Sequence, residues 1–157
     1  MPERLVAHDL FSFLRPEQVD AISERAARVR FTAGAIVYER GARADHLYAV
    51  LEGAITLYLH GAAGFSVAID HLGRGDIFGS CVCFQRDTYA LAAQCAQDSE
   101  LLMIESAALK DLMDRDLQMG YALQTRLSAI YFGRYIETMR KLQAITMSLP
   151  IEPVPSG

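Results

Sequence analysis

Short β-prone runs separated by glycines constrain the fold of this chain more than any other feature. The runs cover residues 35–38, 47–51, 54–59, 65–69 and 100–104. The glycines that punctuate them are Gly34, Gly41, Gly53, Gly61, Gly64, Gly73 and Gly75. Many short strands at even spacing favour a β-roll or sandwich over alternating strand–helix units. The sequence therefore predicts a mainly β fold for residues 30–105.

A helical pattern precedes these runs. Apolar residues recur there at spacings of three and four, which predicts an amphipathic helix: Val19, Ile22, Ala26 and Val29. Pro16 suits a first helical turn. We therefore expect N-terminal helices within residues 1–29.

Two further helices are predicted after the runs, over residues 106–113 with Ser106 as N-cap and over residues 116–148. The longer one carries an apolar seam with coiled-coil spacing: Leu127, Tyr131, Tyr135, Thr138, Leu142, Ile145 and Leu149. Two copies would bury this seam against each other, so the sequence predicts a homodimer. Prolines end the helix and leave a Pro-rich tail at residues 150–157.

The charge and composition of the chain limit the binding partners and the cellular compartment that we expect. The 157 residues have a net charge of -4 and a pI of about 5.5, whereas nucleic-acid-binding domains usually show a basic stripe. No window has the ~18 consecutive apolar residues of a membrane span, and the first residues form no apolar signal segment. Three cysteines form no disulfide framework. We expect a cytoplasmic protein with neither a DNA nor a membrane partner.

Three segments, in order along the chain, together resemble one known family. They are residues 41–53, with the pattern Gly-x-x-x-Asp-x-Leu-Tyr-x-Val-x-x-Gly, then Gly75-Asp76-Ile77-Phe78-Gly79-Ser80, then Asp98-Ser99-Glu100-Leu101-Leu102. This series resembles the cyclic nucleotide-binding domain of the Crp/Fnr regulator superfamily. The likeness covers about residues 11–147.

The resemblance implies a cyclic nucleotide-binding-like domain over residues 1–149. Its parts are N-terminal helices at 1–29, an antiparallel β-roll (a double-stranded β-helix or jelly roll) at 30–105, and C-terminal helices at 106–149 that include the dimerisation helix. The helix-turn-helix of the family's transcription factors has no counterpart in the sequence after residue 149. We therefore expect a stand-alone module that does not bind DNA by itself.

The resemblance also implies a ligand site that lacks the two side chains with which the family mainly holds its nucleotide. In the family, a Glu after the Phe-Gly pair bonds the ribose, and an Arg about ten residues later pairs the cyclic phosphate. Ser80 and Tyr89 occupy those positions, so the phosphate-binding cassette is degenerate. A lost charge-assisted hydrogen bond of about 1.5–3 kcal/mol weakens binding roughly 10- to 150-fold. The implied ligand-binding set is Phe78, Gly79, Ser80, Cys81, Val82, Tyr89, Ala90, Leu91, Arg134 and Tyr135.

Two cations are candidates to replace the missing charge. Arg86 would do so only if the loop had a different length, and the register of residues 95–102 argues against that. Arg134 corresponds to a helix position that touches the base in the family. Its plainer interpretation is a solvated or ion-paired helix residue.

Three other kinds of chemistry have weaker signals. Cys81, Cys83 and Cys95 with His71 lack the spacing of a zinc site, and core cysteines are the favoured interpretation. Cys81 and Pro2 match positions that hold iron in the family's haem-based sensor, but that segment contains no His. No nucleophile elbow surrounds Ser80. We therefore expect no enzyme, no metal and no cofactor.

The sequence thus predicts a small-molecule sensor or regulatory module of cyclic nucleotide-binding-like type. It would bind an effector, nucleotide-like or other, not held in the family's usual way, or a protein partner, and signal through its dimer helices. One alternative is a ligand-blind protein-interaction or dimerisation module whose pocket is filled by Tyr89 and Leu91. The other is a haem-based gas sensor.

Overall fold

The computed structural model describes residues 11–147, without the side chains of residues 62, 81, 82, 146 and 147. Its elements are α1 (Pro16–Glu24), β1 (Ala26–Phe31), β2 (Ile36–Tyr38), β3 (His46–Glu52), β4 (Ile55–His60), β5 (Ser66–Leu72), β6 (Ile77–Phe78), β7 (Ala92–Cys95), β8 (Ser99–Glu105), α2 (Ser106–Arg115) and α3 (Leu117–Met147). Two 3₁₀ turns occupy Ala62–Gly64 and Cys81–Phe84. The chain divides into two compact units at a boundary within α3, after Gln124.

The strands form two antiparallel sheets of four strands each. One has the order β1-β8-β3-β6 and the other β2-β7-β4-β5. Neighbours in each sheet are mostly distant in sequence, as in a roll whose chain passes back and forth between two sheets. The mainly β fold with flanking helices, including a long C-terminal helix, is confirmed.

Side chains from both sheets form one apolar core. Its buried members are Tyr48, Val50, Phe78 and Leu101 from one sheet, and Ile55, Leu57, Leu72, Ala93 and Cys95 from the other. Burying a Leu, Ile, Val or Phe side chain contributes about 1.5–3 kcal/mol. This core therefore holds the two sheets face to face.

The N-terminal helix is shorter than the sequence pattern predicts. The helix α1 ends at Glu24, and Ala26 and Val29 lie in β1, paired with Ile104 and Leu101 of β8. A spacing of three residues fits a helical face, but the backbone groups of this segment gain a full ladder of hydrogen bonds by joining β8. The expected helical boundary at residue 29 is wrong, and residues 1–10 lie outside the described residues.

The start of α2 is tied to the loop before β3. The N-cap of α2 is Glu105, so the expected N-cap Ser106 is wrong. The Ser106 hydroxyl instead donates to the carbonyl of Ala44 at 2.7 Å, and its backbone N–H donates to the carbonyl of Asp45 at 2.7 Å. Because these bonds use the first helical residue, they fix the entry of α2 against the β2–β3 loop.

The long helix α3 agrees with the predicted span of residues 116–148 to within a residue at each end. Its exposed large apolar side chains are Leu117, Tyr121, Phe132, Tyr135, Met139, Leu142 and Ile145. Leu127 is 1% exposed in the single chain, and its place in a dimer seam stays a prediction. Leu149 and the tail at 150–157 lie outside the described residues. No helix within residues 11–147 has both the length and the apolarity needed to cross a bilayer.

Candidate functional site

The candidate site begins where β6 ends, at Gly79. This residue has a φ of +79°, in the left-handed region that side chains other than glycine rarely adopt. A Cβ there would lie 3.1 Å from the His46 carbonyl oxygen, 3.3 Å from Tyr48 Cδ2 and 3.4 Å from Tyr89 Cε1. Glycine is therefore required here by the packing of the protein itself, whatever ligand the backbone meets.

Tyr89, at the position where the resemblance implies a phosphate-binding Arg, turns into the protein beside Gly79. Its side chain is only 4% exposed. The hydroxyl donates to the carbonyl of His46 at 2.7 Å and accepts from the His46 N–H at 3.1 Å. The ring stacks on Tyr38 with centroids 3.5 Å apart and planes 11° from parallel. Polar and apolar contacts together hold this side chain in one position.

Tyr89 is part of a larger aromatic cluster. Tyr38 also lies 6.1 Å from both Tyr48 and Phe78, and the Tyr48 and Phe78 rings stack at 5.3 Å. Burial raises the pKa of the Tyr48 hydroxyl, and the nearby Asp45 carboxylate raises it further. The Tyr48 hydroxyl is therefore uncharged at neutral pH, and the cluster presents aromatic rings where the resemblance implies a contact for an anion.

The other predicted cassette residues are divided between the interior and the surface. Phe78 and Ser80 are both 0% exposed, whereas Ala90 is exposed. Leu91 is partly buried and packs against the core between the sheets. Cys81 and Val82 lie in the 3₁₀ turn that follows Ser80. Ser80 therefore presents no surface to solvent.

The two candidate replacement cations differ in their surroundings. Arg86 is exposed and lines a surface cleft whose lining does not include Gly79 or Tyr89. Arg134 is half-buried on α3, and its guanidinium carbon lies 5.2 Å from the ring centroid of Tyr131. That contact is a cation–π pair within one helix. Tyr135 is 59% exposed, with its ring 6.0 Å from Phe132. A role of Arg134 and Tyr135 in ligand binding stays a prediction.

The backbone around Tyr89 is held by the loop that precedes β3. The N–H of Gly41 donates to the Tyr89 carbonyl at 2.8 Å, and the Tyr89 N–H donates to the Ala42 carbonyl at 2.9 Å. The Ala44 N–H donates to the Asp87 carbonyl at 2.7 Å. Since Ser106 bonds the same loop from the other side, residues 41–45 connect the cassette to the start of α2.

The two cysteines whose side chains the structure describes are both at least partly buried. Cys95 is 1% exposed in the core, and burial raises the pKa of its thiol, against a smaller lowering by a hydrogen bond with Ser99. Cys83 is half-buried. The side chain of Cys81 and all of Pro2 lie outside the described residues, so a haem ligand set stays a prediction.

Sequence reasoning missed His46 and Tyr38. His46 contacts Tyr89 through its backbone N–H and carbonyl groups, and no sequence pattern predicts such a contact. Tyr38 ends a three-residue strand, and its stacking partner Tyr89 lies far along the chain. Neither contact has a local signal, so only the fold brings these residues together.

The chain belongs to the cyclic nucleotide-binding domain family. The sequence model of that family matches residues 28–116, which is more than half of the chain. The match runs from β1 through α2 and includes Gly79, Ser80 and Tyr89. The resemblance found from the glycine-rich segments is thereby confirmed.

Individual relatives agree with this assignment. The cAMP-activated global transcriptional regulator Vfr of Pseudomonas aeruginosa is 22% identical over 130 residues, which make up 80% of this chain and 59% of Vfr. This chain thus spans less than two thirds of that regulator's length.

Solved structures agree on the fold. The catabolite activator protein of Thermus thermophilus is 24% identical, with a TM-score of 0.70 over 87% of this chain and 62% of that one. A cyclic nucleotide-binding domain from Methylobacillus flagellatus KT is 16% identical, with a TM-score of 0.76 over 90% of this chain and 78% of that one. At these identities the likeness shows the fold alone.

Proposed function

We propose that this chain is a regulatory module of cyclic nucleotide-binding type that does not grip cyclic AMP in the family's manner. The observation that carries the proposal is the inward Tyr89 side chain beside Gly79. It stands where the family has a cation, it is uncharged, and it is fixed by Tyr38 and His46. The cassette is then a structural part of the module, and its regulation comes from elsewhere.

The energetics of the cassette support this proposal. A cyclic phosphate carries a negative charge, and placing it against the rings of Tyr38, Tyr48 and Tyr89 with no opposite charge costs desolvation. Moving Tyr89 aside would break two hydrogen bonds, each worth about 0.5–1.5 kcal/mol, and a stacked pair worth about 0.5–1.5 kcal/mol. The binding of a nucleotide would have to offset that free energy without the Glu and Arg contacts that the family's usual cassette provides.

The module would transmit its state through paired copies of α3. Five exposed apolar side chains follow each other on this helix at spacings of three, four, three and three residues: Phe132, Tyr135, Met139, Leu142 and Ile145. Such a stripe is unfavourable in water, and a second copy carries the same stripe, so a two-fold pair buries both. We therefore propose a homodimer as the signalling form, with Phe132 and Met139 added to the predicted seam.

A ligand-blind interaction module is the second candidate. It is favoured by the same Tyr89 contacts, because a pocket filled by the protein's own side chain needs no small molecule to be stable. The two candidates differ in whether any small effector binds the chain.

Titration calorimetry with cyclic AMP and cyclic GMP tests the cassette directly. We expect wild-type protein to bind either nucleotide far more weakly than micromolar. Tyr89→Arg restores a cation at the aligned position and should strengthen binding, whereas Tyr89→Gln removes the ring without adding charge and should not. Circular dichroism confirms that each variant is folded. Micromolar or tighter binding by wild type would overturn the proposal.

A further inference from the structure

A second cleft lies beside the loop that follows the cassette. Its volume is about 610 Å³, within the roughly 300–1,000 Å³ typical of small-molecule sites. It is lined by Cys83, Gln85, Arg86, Asp87, Lys110, Met113, Asp114 and Gln124. These residues come from the loop, from α2 and from the first two turns of α3.

The walls of this cleft are fixed to one another. The Gln124 side chain donates from Nε2 to the carbonyl of Cys83 at 3.0 Å, which ties the first part of α3 to the loop. The Cys83 N–H donates to the carbonyl of Ser80 at 3.0 Å, which ties the loop back to the cassette. Gln85 has a φ of +61°, a backbone conformation that is uncommon for a residue with a side chain. Such outliers cluster at functional sites.

The cleft presents charges of both signs. Arg86 and Lys110 are cations, and Asp87 and Asp114 are carboxylates; all four side chains are exposed. Within residues 11–147, no ion pair engages any of these four, although Lys110 and Asp114 stand one helical turn apart. Half-buried Met113 adds an apolar wall between the charged groups.

This charge pattern discriminates between classes of ligand. A nucleoside phosphate or another polyanion would meet Asp87 and Asp114 as well as the two cations. A simple polyamine would meet Arg86 and Lys110. A ligand with one negative and one positive group can place the negative group against Arg86 and Lys110 and the positive group against the two carboxylates. Both contacts are then attractive, and neither group has to lie against a like charge.

We propose that this cleft binds a small zwitterion, with a free α-amino acid as the simplest class. The carboxylate would contact Arg86 and Lys110, the ammonium would contact Asp87 and Asp114, and the ligand side chain would lie on Met113. This inference deepens the proposed function by naming an effector class, and it rests on that function only for the regulatory consequence. Binding itself needs no statement about the cassette.

The first test is a thermal-unfolding screen of the wild-type protein against the proteinogenic amino acids, followed by calorimetry with the strongest stabiliser. The matched probes are its N-acetyl derivative and its carboxamide, each of which removes one charge. We expect both blocked forms to bind about tenfold or more weakly, since each loses a charge-assisted hydrogen bond.

Variants locate the binding to the cleft. Lys110→Gln and Asp114→Asn change exposed side chains and should each weaken the amino acid about tenfold. Arg74→Gln, an exposed cation that does not line the cleft, should leave affinity unchanged. The inference is overturned if no amino acid stabilises the protein, if blocked forms bind as well, or if Lys110→Gln and Asp114→Asn bind as wild type. None of these outcomes bears on the cyclic nucleotide titrations.

Discussion

The hydroxyl of Tyr89 bonds both backbone groups of His46, donating to the carbonyl at 2.7 Å and accepting from the N–H at 3.1 Å. A side chain that satisfies both groups of one residue acts as a strut between two segments of the roll. This differs from a side chain that waits for a ligand, because the strut is complete within the protein.

Tyr89→Phe isolates this strut. The variant keeps the ring and its stacking on Tyr38 but leaves both polar groups of His46 without their partner. We expect a loss of about 1–3 kcal/mol of unfolding free energy, the sum for two hydrogen bonds. Urea unfolding measures it, with Tyr121→Phe as control, since Tyr121 is 78% exposed. Equal stability of the two variants would show that the hydroxyl of Tyr89 contributes nothing.

Gly53→Ala should be far more damaging than the same change at Gly34. Both glycines have positive φ, +101° and +86°, and so share the backbone cost of about 1–2 kcal/mol. At Gly53 the new Cβ would also lie 2.6 Å from the Asp98 carbonyl and collide with Ser99, whereas at Gly34 nothing lies within 4 Å. Thermal unfolding of both variants gives the difference. A Gly34→Ala protein as unstable as Gly53→Ala would contradict the steric explanation.

Asp116 should make the protein lose stability in acid. A hydrogen bond from Gln18 Nε2, then one from the Met119 N–H, and then the charge of Arg15 lower the pKa of its carboxyl below the usual value. Because the folded pKa is depressed, this stabilisation is present above the unfolded pKa and disappears as pH falls through the folded one. Urea midpoints measured from neutral pH to about pH 2 should fall less steeply for Asp116→Asn than for wild type. Glu39→Gln, an exposed carboxylate, serves as control and should follow wild type.

Leu142→Asp should separate the proposed dimer. Leu142 is 60% exposed in the single chain, so the change is tolerated in a monomer. In a paired seam the new charge would be buried at a cost of several kcal/mol. Light scattering after size exclusion should show a dimer for wild type and a monomer for Leu142→Asp. Ala144→Asp, on the opposite side of the helix, should stay dimeric. A monomeric wild type at tens of micromolar would exclude the dimer.

The parts of the fold that the sequence predicts are those with strong local patterns. Five strands and the two C-terminal helices coincide with long apolar or helical runs. The strands β6 and β7 were not predicted from the sequence. Ile77–Phe78 has only two residues, and Ala92–Cys95 is poor in β-branched and aromatic side chains. The misassigned strand β1 owes its conformation to pairing with β8, which is a tertiary contact.

The candidate site shows the same division. From the sequence, the resemblance predicts that Ser80 and Tyr89 replace the Glu and Arg of the family's cassette. The inward turn of Tyr89 is not predicted, because its partners Tyr38 and His46 are brought to it only by the closed roll. Likewise, helical spacing predicts Leu127 in a dimer seam, but spacing alone does not show that Leu127 is only 1% exposed in the single chain.

The loop of residues 41–45 is held from both sides largely through main-chain atoms. Residues 87 and 89 bond it on one side and Ser106 on the other, and the Ser106 hydroxyl is the one side chain among those bonds. Substitutions at Ser80 or Tyr89 leave the identity of these main-chain partners untouched. The side chains at the predicted ligand site and the hydrogen bonds that connect this loop to α2 are thus separate features of the sequence. Under the proposed function, the nucleotide contacts can be lost while the hydrogen bonds from this loop to α2 remain, so the module stays open to a different effector.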